Sequence, residues 1–249
     1  MSQLDLASEA EISTKHLSFL ETGRSQPSRE MVLHLAEQLE IPRREQNILL
    51  VAAGFAPVFR ERPLDDPALA AARRAIDLVL KGHLPYPAIA VDRHWTIVAS
   101  NYAIPFLYKD VAPEILKPPV NALRLALHPK ALAPRILNLP EWRAHLLESL
   151  RRQIEITADP VLVALMEELR SYPTPNVRPP DRQAAKENFA GVVVPVQFAT
   201  EHGVLSFFST ITVFGTPVDI TLSELALEAF YPADATTAET LRRLGEKTA

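Results

Sequence analysis

The sequence has 249 residues, a net charge of −4, 22 Pro, 7 Gly and no Cys, and a chain of this length forms one or two domains with an ample core. The absence of Cys excludes disulfides, thiolate catalysis and zinc sites built on Cys. No apolar run reaches the length of a membrane span and no signal-peptide pattern opens the chain, so we expect a cytoplasmic protein.

Two short helices joined by a tight corner are predicted at the start of the chain. Ser2 followed by Asp5 forms a short capping box for the first helix, and Ser13 or Thr14 caps the second. Glu11 lies in the corner between them. This pattern is typical of a helix-turn-helix, although a generic pair of small helices explains the same periodicity.

A motif spread over both helices carries a resemblance to a known class. It reads Gln3-x-x-Leu6-Ala7, then Ile12-Ser13-x-x-x-Leu17-Ser18-x-x-Glu21-x-Gly23, then Pro27-Ser28. In this order it resembles the phage-repressor-like (XRE) class of DNA-binding domain. The resemblance implies a homodimer bound to double-stranded DNA, with contacts from Gln3, Ser13, Thr14, Lys15, Ser18, Phe19 and Arg24.

The sequence departs from that class in two ways. The corner residue, usually Gly, is Glu11, and positive φ costs a non-Gly residue about 1 kcal/mol. The class also has a whole helix, often rich in Arg, before the segment that begins here at Met1. Residues 1–62 carry 7 Lys and Arg against 9 Asp and Glu, a net charge of −2, whereas DNA binding requires positive charge. We expect either that the true start lies upstream or that the chain binds DNA weakly.

Two more helices complete the predicted first domain. Ser28 caps a helix that runs to Leu39, and a further helix covers residues 43–53 with Gly54 at the position after its C-cap. The inward side chains predicted for that helix are Ile48, Leu49 and Ala52. A polar linker with several Pro follows, so we expect a helix-turn-helix domain over residues 1–62 and a second domain over residues 68–245.

The second domain mixes helices and strands. Helices are predicted at residues 68–82, 120–127, 138–155 and 160–172, and strands at residues 88–91, 95–99, 192–198, 204–213 and 226–231. Pro195 indicates a bulge or an edge strand, and residues 172–181 are predicted to be a loop without regular structure. The predicted fold class is α+β: an N-terminal all-α bundle followed by a PAS-like antiparallel sheet with helices on one face.

Short motifs in the second domain carry a second resemblance. They are Leu84-Pro85-Tyr86-Pro87-Ala88, Val91-Asp92-Arg93-His94-Trp95, His128-Pro129, Asn138-Leu139-x-x-Trp142, Leu205-Ser206-Phe207-Phe208-Ser209-Thr210 and Phe214-Gly215-Thr216-Pro217. Over residues 80–243 the chain resembles the MmyB-like transcription-regulator ligand-binding domain, which follows an XRE domain in bacterial regulators. The resemblance implies a PAS-like sensory pocket that takes an apolar acid of the fatty-acid type.

A candidate ligand site surrounds the start of the longest predicted helix. Arg135 lies near a helix start that suits an anionic head group, and Trp142 shares a helix face with His145. Asn138 belongs to this cluster, or is an ordinary N-cap with Glu141 three residues later. The candidate ligand-binding residues are Trp95, Asn101, His128, Arg135, Asn138, Trp142, His145 and Phe207, with Phe106 and Phe208 as further apolar walls.

Catalysis is the function class that the sequence supports least. The His residues are scattered without zinc-binding spacing, and the Ser-nucleophile, dinucleotide and phosphate-loop motifs are absent. We expect no cofactor, although haem on a single His in a PAS-like pocket stays open. The predicted function is a DNA-binding transcription regulator that senses a fatty-acid-like ligand; the alternative is a protein-interaction adaptor with a degenerate helix-turn-helix.

Overall fold

The computed structural model describes residues 2–173, 194–215, 217 and 219–246. It divides the chain into two compact units. The first comprises Met1–Leu69 together with Gly215–Ser223, and the second comprises Ala70–Phe214 together with Glu224–Ala249. Most of the predicted loop at 172–181 and the first two residues of the strand predicted at 192–198 lie outside the described residues.

The first unit is built from short helices. They are α1 (Gln3–Glu9), α2 (Thr14–Glu21), α3 (Arg29–Gln38), α4 (Arg43–Ala52) and the single turn α9 (Ile220–Ser223). Helices α1 and α2 pack against each other, and α3 packs against α4. This arrangement confirms the predicted helix-turn-helix.

Local capping fixes where these helices begin, as the sequence predicted. Ser2 and Asp5 form the capping box of α1, with both of its hydrogen bonds present. The hydroxyl of Ser13 accepts from the backbone N–H three residues on, and Ser28 does the same at α3. Glu11 occupies the corner at φ 50°, the left-handed conformation that favours Gly.

The inward face of α4 differs from the prediction. Ile48 is 62% exposed, Leu49 is 39% exposed and Ala52 is also exposed, whereas Leu50 is fully buried. The reason is that Asn47 faces the segment after α4: its side-chain oxygen accepts from the backbone N–H groups of Val58 and Phe59. This polar anchor turns α4 away from the orientation that apolar periodicity alone predicts.

The second unit contains a sheet of five antiparallel strands, and its order β2-β1-β5-β4-β3 confirms the predicted α+β, PAS-like class. The strands are β1 (Ala88–Val91), β2 (Ile97–Ser100), β3 (Val196–Thr200), β4 (Gly203–Val213) and β5 (Ala226–Pro232). β3 is an edge strand, one of the two alternatives that Pro195 indicated, but it begins at Val196, after Pro195, and not at residue 192 as predicted. β2 begins two residues later than predicted because Trp95 lies in the preceding turn at φ 66°.

In the described residues, five helices accompany the sheet. They are α5 (Ala70–Gly82), α6 (Ala122–Leu127), α7 (Leu139–Thr157), α8 (Pro160–Ser171) and α10 (Ala235–Glu246). Apolar side chains of α6, α7 and α8 share one core with β3 and β4. Helix α5 packs on β1 and β2, and α10, which the sequence analysis did not foresee, packs on β4 and β5.

Candidate functional site

The exposed side of α2 brings together three of the predicted DNA-binding residues. The Lys15 ammonium lies 5.6 Å from the centre of the Phe19 ring. The guanidinium of Arg24 lies 5.9 Å from the same ring. Cations over an aromatic face attract its quadrupole, so Phe19 holds two positive charges on this surface, which we call the α2 face (Thr14, Lys15, Ser18, Phe19 and Arg24).

Two further predicted DNA-binding residues have partners inside the helix pair. Gln3 donates a hydrogen bond from Nε2 to a carboxylate oxygen of Glu21, which orients the Gln3 amide at the start of α1. The Ser13 hydroxyl is engaged as the N-cap of α2, although the residue is exposed. Gln3, Ser13, Thr14, Lys15 and Arg24 are all exposed, whereas Ser18 and Phe19 are half-buried.

The second unit encloses an apolar cavity of about 70 Å³ between the sheet and its helices. Its walls come from β1, β2, β3, β4 and β5, from α6 and α7, and from the 3₁₀ turn Pro105–Tyr108. The residues that line it are Ile89, Ile97, Ile104, Leu107, Tyr108, Leu123, Leu125, Ala126, Leu132, Trp142, Leu146, Val196, Phe198, Phe207, Glu228 and Phe230.

Glu228 is the one carboxyl among the described residues that line this cavity. The residue is 8% exposed. Burial raises the pKa of Glu228 to about 7, and a hydrogen bond with the Ser209 side chain opposes that rise. Burial also raises the pKa of Tyr108, which lines the same cavity, to about 12. The cavity therefore combines an apolar lining with one carboxyl and one phenol.

A charged cleft of about 280 Å³ shares the 3₁₀ turn with the cavity. Leu107 and Tyr108 face the cavity, whereas Phe106 lines the cleft together with Arg135. The Arg135 guanidinium donates a hydrogen bond to the backbone oxygen of Leu107, and burial lowers the pKa of Arg135. The remaining residues that line the cleft are Lys109, Asp110, Ala199, Thr200 and Glu201.

The structure distributes the predicted ligand-binding residues over several places. Trp142 and Phe207 line the cavity, and Arg135 lines the cleft. His145 stacks on Trp142 with ring centres 5.4 Å apart. Burial and the nearby charge of Arg152 lower the pKa of His145.

Both predicted Asn residues hold backbone segments together. Asn101 is buried, accepts from the N–H of Ala88 and donates to the carbonyl oxygens of Leu80 and Tyr86. Asn138 is the N-cap residue of α7, as its alternative interpretation predicted, but its side chain makes no cap hydrogen bond to that helix. Its amide bonds instead to the backbone of Pro195 and Gln197, which ties the start of α7 to β3.

The other predicted side chains contact neighbours outside the cavity lining. The Trp95 indole donates to the Gln153 side chain at 2.9 Å. His128 accepts from the backbone N–H of Lys130 and meets the Tyr172 ring edge-on. Phe208 stacks on Tyr231.

Sequence reasoning missed Glu228, although a signal was present. In a strand, alternate residues face the same side, so the predicted strand 226–231 places Glu228 on the same face as Phe230. A lone carboxyl on an apolar strand face is an unusual feature. Tyr108 carried no comparable signal.

Within the described residues, no group of three or more His, Asp or Glu side chains is placed to hold a metal ion. No helix in that part of the chain is long and apolar enough to cross a membrane.

Comparisons with known proteins identify both parts of the chain. A family model described as Helix-turn-helix matches residues 1–46. A second, described as MmyB-like transcription regulator ligand binding domain, matches residues 72–244. The comparison with curated proteins found no match.

Among solved structures, the chain is similar to one titled "Structure of an RNA-binding Light-Oxygen-Voltage Receptor", at 13% identity and a TM-score of 0.26. The match covers 99% of this chain and 57% of that one, so the chain spans little more than half the length of that structure.

The two matches point to a transcription regulator rather than to an enzyme family. Together they describe a helix-turn-helix segment followed by a ligand-binding domain of a transcription-regulator family. The chain belongs to the family defined by the MmyB-like transcription regulator ligand binding domain.

Proposed function

We propose that this regulator senses an aliphatic carboxylic acid of the fatty-acid type, acts in the cytoplasm and binds DNA as a homodimer. The observation that carries the ligand class is the apolar cavity within the matched ligand-binding domain, next to a cleft that contains Arg135 and Lys109. The aliphatic chain occupies the cavity, because each buried CH₂ contributes about 0.8 kcal/mol.

The carboxylate of the ligand is assigned to Arg135. An unpaired buried carboxylate is costly, and a partly desolvated guanidinium is a strong partner for it. Arg135 lies beside the wall that separates the cleft from the cavity, since it donates to the carbonyl oxygen of Leu107. Lys109 adds a second positive charge, at present paired with Glu201 at 2.6 Å.

The size of the cavity supports a switching mechanism. At about 70 Å³ it is smaller than the roughly 300–1,000 Å³ of most small-molecule pockets. A fatty acid therefore binds only an enlarged arrangement of the cavity walls, and it shifts the population toward that arrangement. The sensing event in this proposal is the expansion of the cavity.

The DNA-binding role is assigned to the α2 face. Helix-turn-helix proteins place the second helix of the motif in the major groove, and dimers read two half-sites. Lys15 and Arg24 supply the positive charge there, held against Phe19. We assign base contacts to Thr14 and Lys15, and a phosphate contact to Gln3.

A direct test of the ligand is extraction and mass spectrometry of the protein purified from cells. We expect a medium- or long-chain fatty acid in the wild-type protein, and its loss in Arg135→Ala. Arg170→Ala is the matched control, because Arg170 is exposed and does not line the cleft. Wild-type protein without bound lipid, and without a thermal shift when fatty acid is added, overturns the ligand class.

A protein-interaction adaptor is the second candidate function. It is favoured by the exposed apolar side chains of α4, with Ile48 62% and Val51 57% exposed, and by the net charge of −2 in residues 1–62. Selection of a bound duplex from a random DNA pool separates the two functions. A regulator enriches a defined sequence, whereas an adaptor enriches none.

A further inference from the structure

Glu228 occupies a position where an apolar residue serves the fold better. It lies in β5, directly opposite Ile89 on β1 and Ile211 on β4. Residues paired in this way share one face of the sheet, so the carboxyl lies on the face that lines the cavity. Burying a carboxyl without full compensation costs free energy, which a Leu or Val at this position avoids.

The hydrogen-bonding capacity of Glu228 is only partly used. The side chain of Ser209 hydrogen-bonds to it, and the other described residues that line the cavity are apolar apart from Tyr108. No Lys, Arg or His lines the cavity in the described part of the chain. A protonated carboxyl has one donor and further acceptor sites, and an ionised one has about four acceptor sites.

We propose that Glu228 binds an uncharged oxygen function, a hydroxyl or a keto group, carried by the aliphatic chain of the ligand. This inference rests on the proposed function, because the same chain occupies the same cavity. The cavity is thus selective for an oxygenated aliphatic acid over the unsubstituted one, and the phenol of Tyr108 is a second polar group available to that oxygen.

An uncharged group suits the site better than a cation does. A buried ion pair recovers little more than the desolvation of its two members. The raised pKa of Glu228, about 7, means that protonation costs little near neutral pH. The acid form of Glu228 then donates to a ketone, or both donates to and accepts from a hydroxyl.

The preference for an oxygenated acid follows from the free-energy cost of leaving the Glu228 carboxyl without a hydrogen-bond partner on the ligand. A site built to hydrogen-bond a substrate hydroxyl discriminates strongly against the analogue that lacks it, because its own polar groups are left unpaired. We expect at least one hydroxy acid to bind about tenfold more tightly than the parent acid.

The test measures the affinity of the full chain by calorimetry for dodecanoic acid, its positional hydroxy isomers, a keto analogue and dodecylamine. We expect one or more oxygenated acids to bind the wild-type protein about tenfold more tightly than dodecanoic acid. In Glu228→Leu that preference disappears and dodecanoic acid binds at least as tightly as before, whereas Glu228→Gln keeps part of the preference. Glu239→Leu, on the exposed side of α10, leaves the preference unchanged.

The contradicting results are distinct from one another. Equal affinity of all the acids for the wild-type protein, or a preference retained in Glu228→Leu, overturns the role of Glu228 and leaves the fatty-acid proposal intact. If dodecylamine binds more tightly than every acid, the assignment of an uncharged oxygen group to Glu228 is wrong. If none of the acids binds the wild-type protein, the proposed ligand class and this inference both fail.

Discussion

Arg62 and Asp219, which are 157 positions apart in the sequence, form an ion pair within the first unit, with Arg62 Nη1 3.3 Å from Asp219 Oδ2. Asp219 is fully buried, and its other carboxylate oxygen accepts from the backbone N–H groups of Arg62 and Thr221. The backbone N–H of Ile220 donates to the carbonyl oxygen of Arg60. These contacts attach Asp219 and Ile220, which lie between β4 and β5 in the sequence, to the first unit.

The first prediction concerns this buried carboxylate. Asp219→Ala removes the acceptor for two backbone N–H groups and leaves Arg62 without its carboxylate, so we expect a loss of about 1–3 kcal/mol in the free energy of unfolding. Urea denaturation followed by circular dichroism measures it. Asp65→Ala, at an exposed position, is the matched control. Equal stability of the two variants contradicts the assigned role of Asp219.

A second prediction concerns the corner between α1 and α2. Glu11→Gly relieves the left-handed conformation at φ 50°, and we expect a gain of about 0.5–1 kcal/mol despite the greater freedom of Gly in the unfolded chain. Glu9→Gly, in the last turn of α1 with ordinary helical geometry, is expected to destabilise. Thermal unfolding compares the two variants. If both lower the midpoint equally, the strain at Glu11 is negligible.

The third prediction assigns Lys15 a role in reading bases. In Lys15→Ala, the affinity for a duplex selected from a random pool falls by about 1–3 kcal/mol, while that for random DNA falls less. Fluorescence anisotropy at fixed salt measures both affinities. Lys81→Ala, on α5, controls for the loss of one positive charge. Equal losses on selected and random duplexes make Lys15 a phosphate contact instead.

A fourth prediction follows from the raised pKa of Glu228, about 7 against an ordinary 4.5. Between these values the folded state holds a proton that the unfolded state releases, so the free energy of unfolding falls as the pH rises. The loss is roughly 3 kcal/mol, complete above about pH 7 and absent below about pH 4.5. In Glu228→Gln this contribution disappears.

Tryptophan fluorescence during urea unfolding at pH 5 and pH 8 measures that difference. The only two Trp residues, Trp95 and Trp142, both lie in the second unit, so the signal reports on the unit that contains Glu228. The difference between wild type and Glu228→Gln cancels the titration of other groups. Identical pH profiles for the two proteins contradict the burial of a titrating carboxyl at this position.

The sequence predicted best the features that depend on residues close together in the chain, such as helix caps and strand positions. The caps at Ser2, Ser13 and Ser28 depend on side chains that reach only three residues along the chain. The period-two pattern likewise located the strands. The α+β class and both family resemblances were therefore correct.

What the sequence did not reveal depends on contacts between distant segments. Asp219 pairs with a residue far away in the chain, and the side chain of Asn138 bonds to the β3 segment instead of capping its own helix. Likewise, the side chain of Asn47 binds the backbone of Val58, and the apolar side chain of Ile48 on the same helix is exposed. Arg135 was singled out as the partner of the ligand acid, yet only the structure shows that it lines the cleft rather than the cavity.

The central claim is that ligand binding in the sheet domain changes DNA binding, and one measurement tests it most directly. The affinity of the full chain for the selected duplex is measured by anisotropy with and without saturating dodecanoic acid, with occupancy verified by mass spectrometry. We predict a change of about fivefold or more, in the range of typical coupling free energies, and its loss in Arg135→Ala at the same acid concentration. An unchanged affinity for DNA in wild-type protein that is fully occupied by the acid contradicts the account.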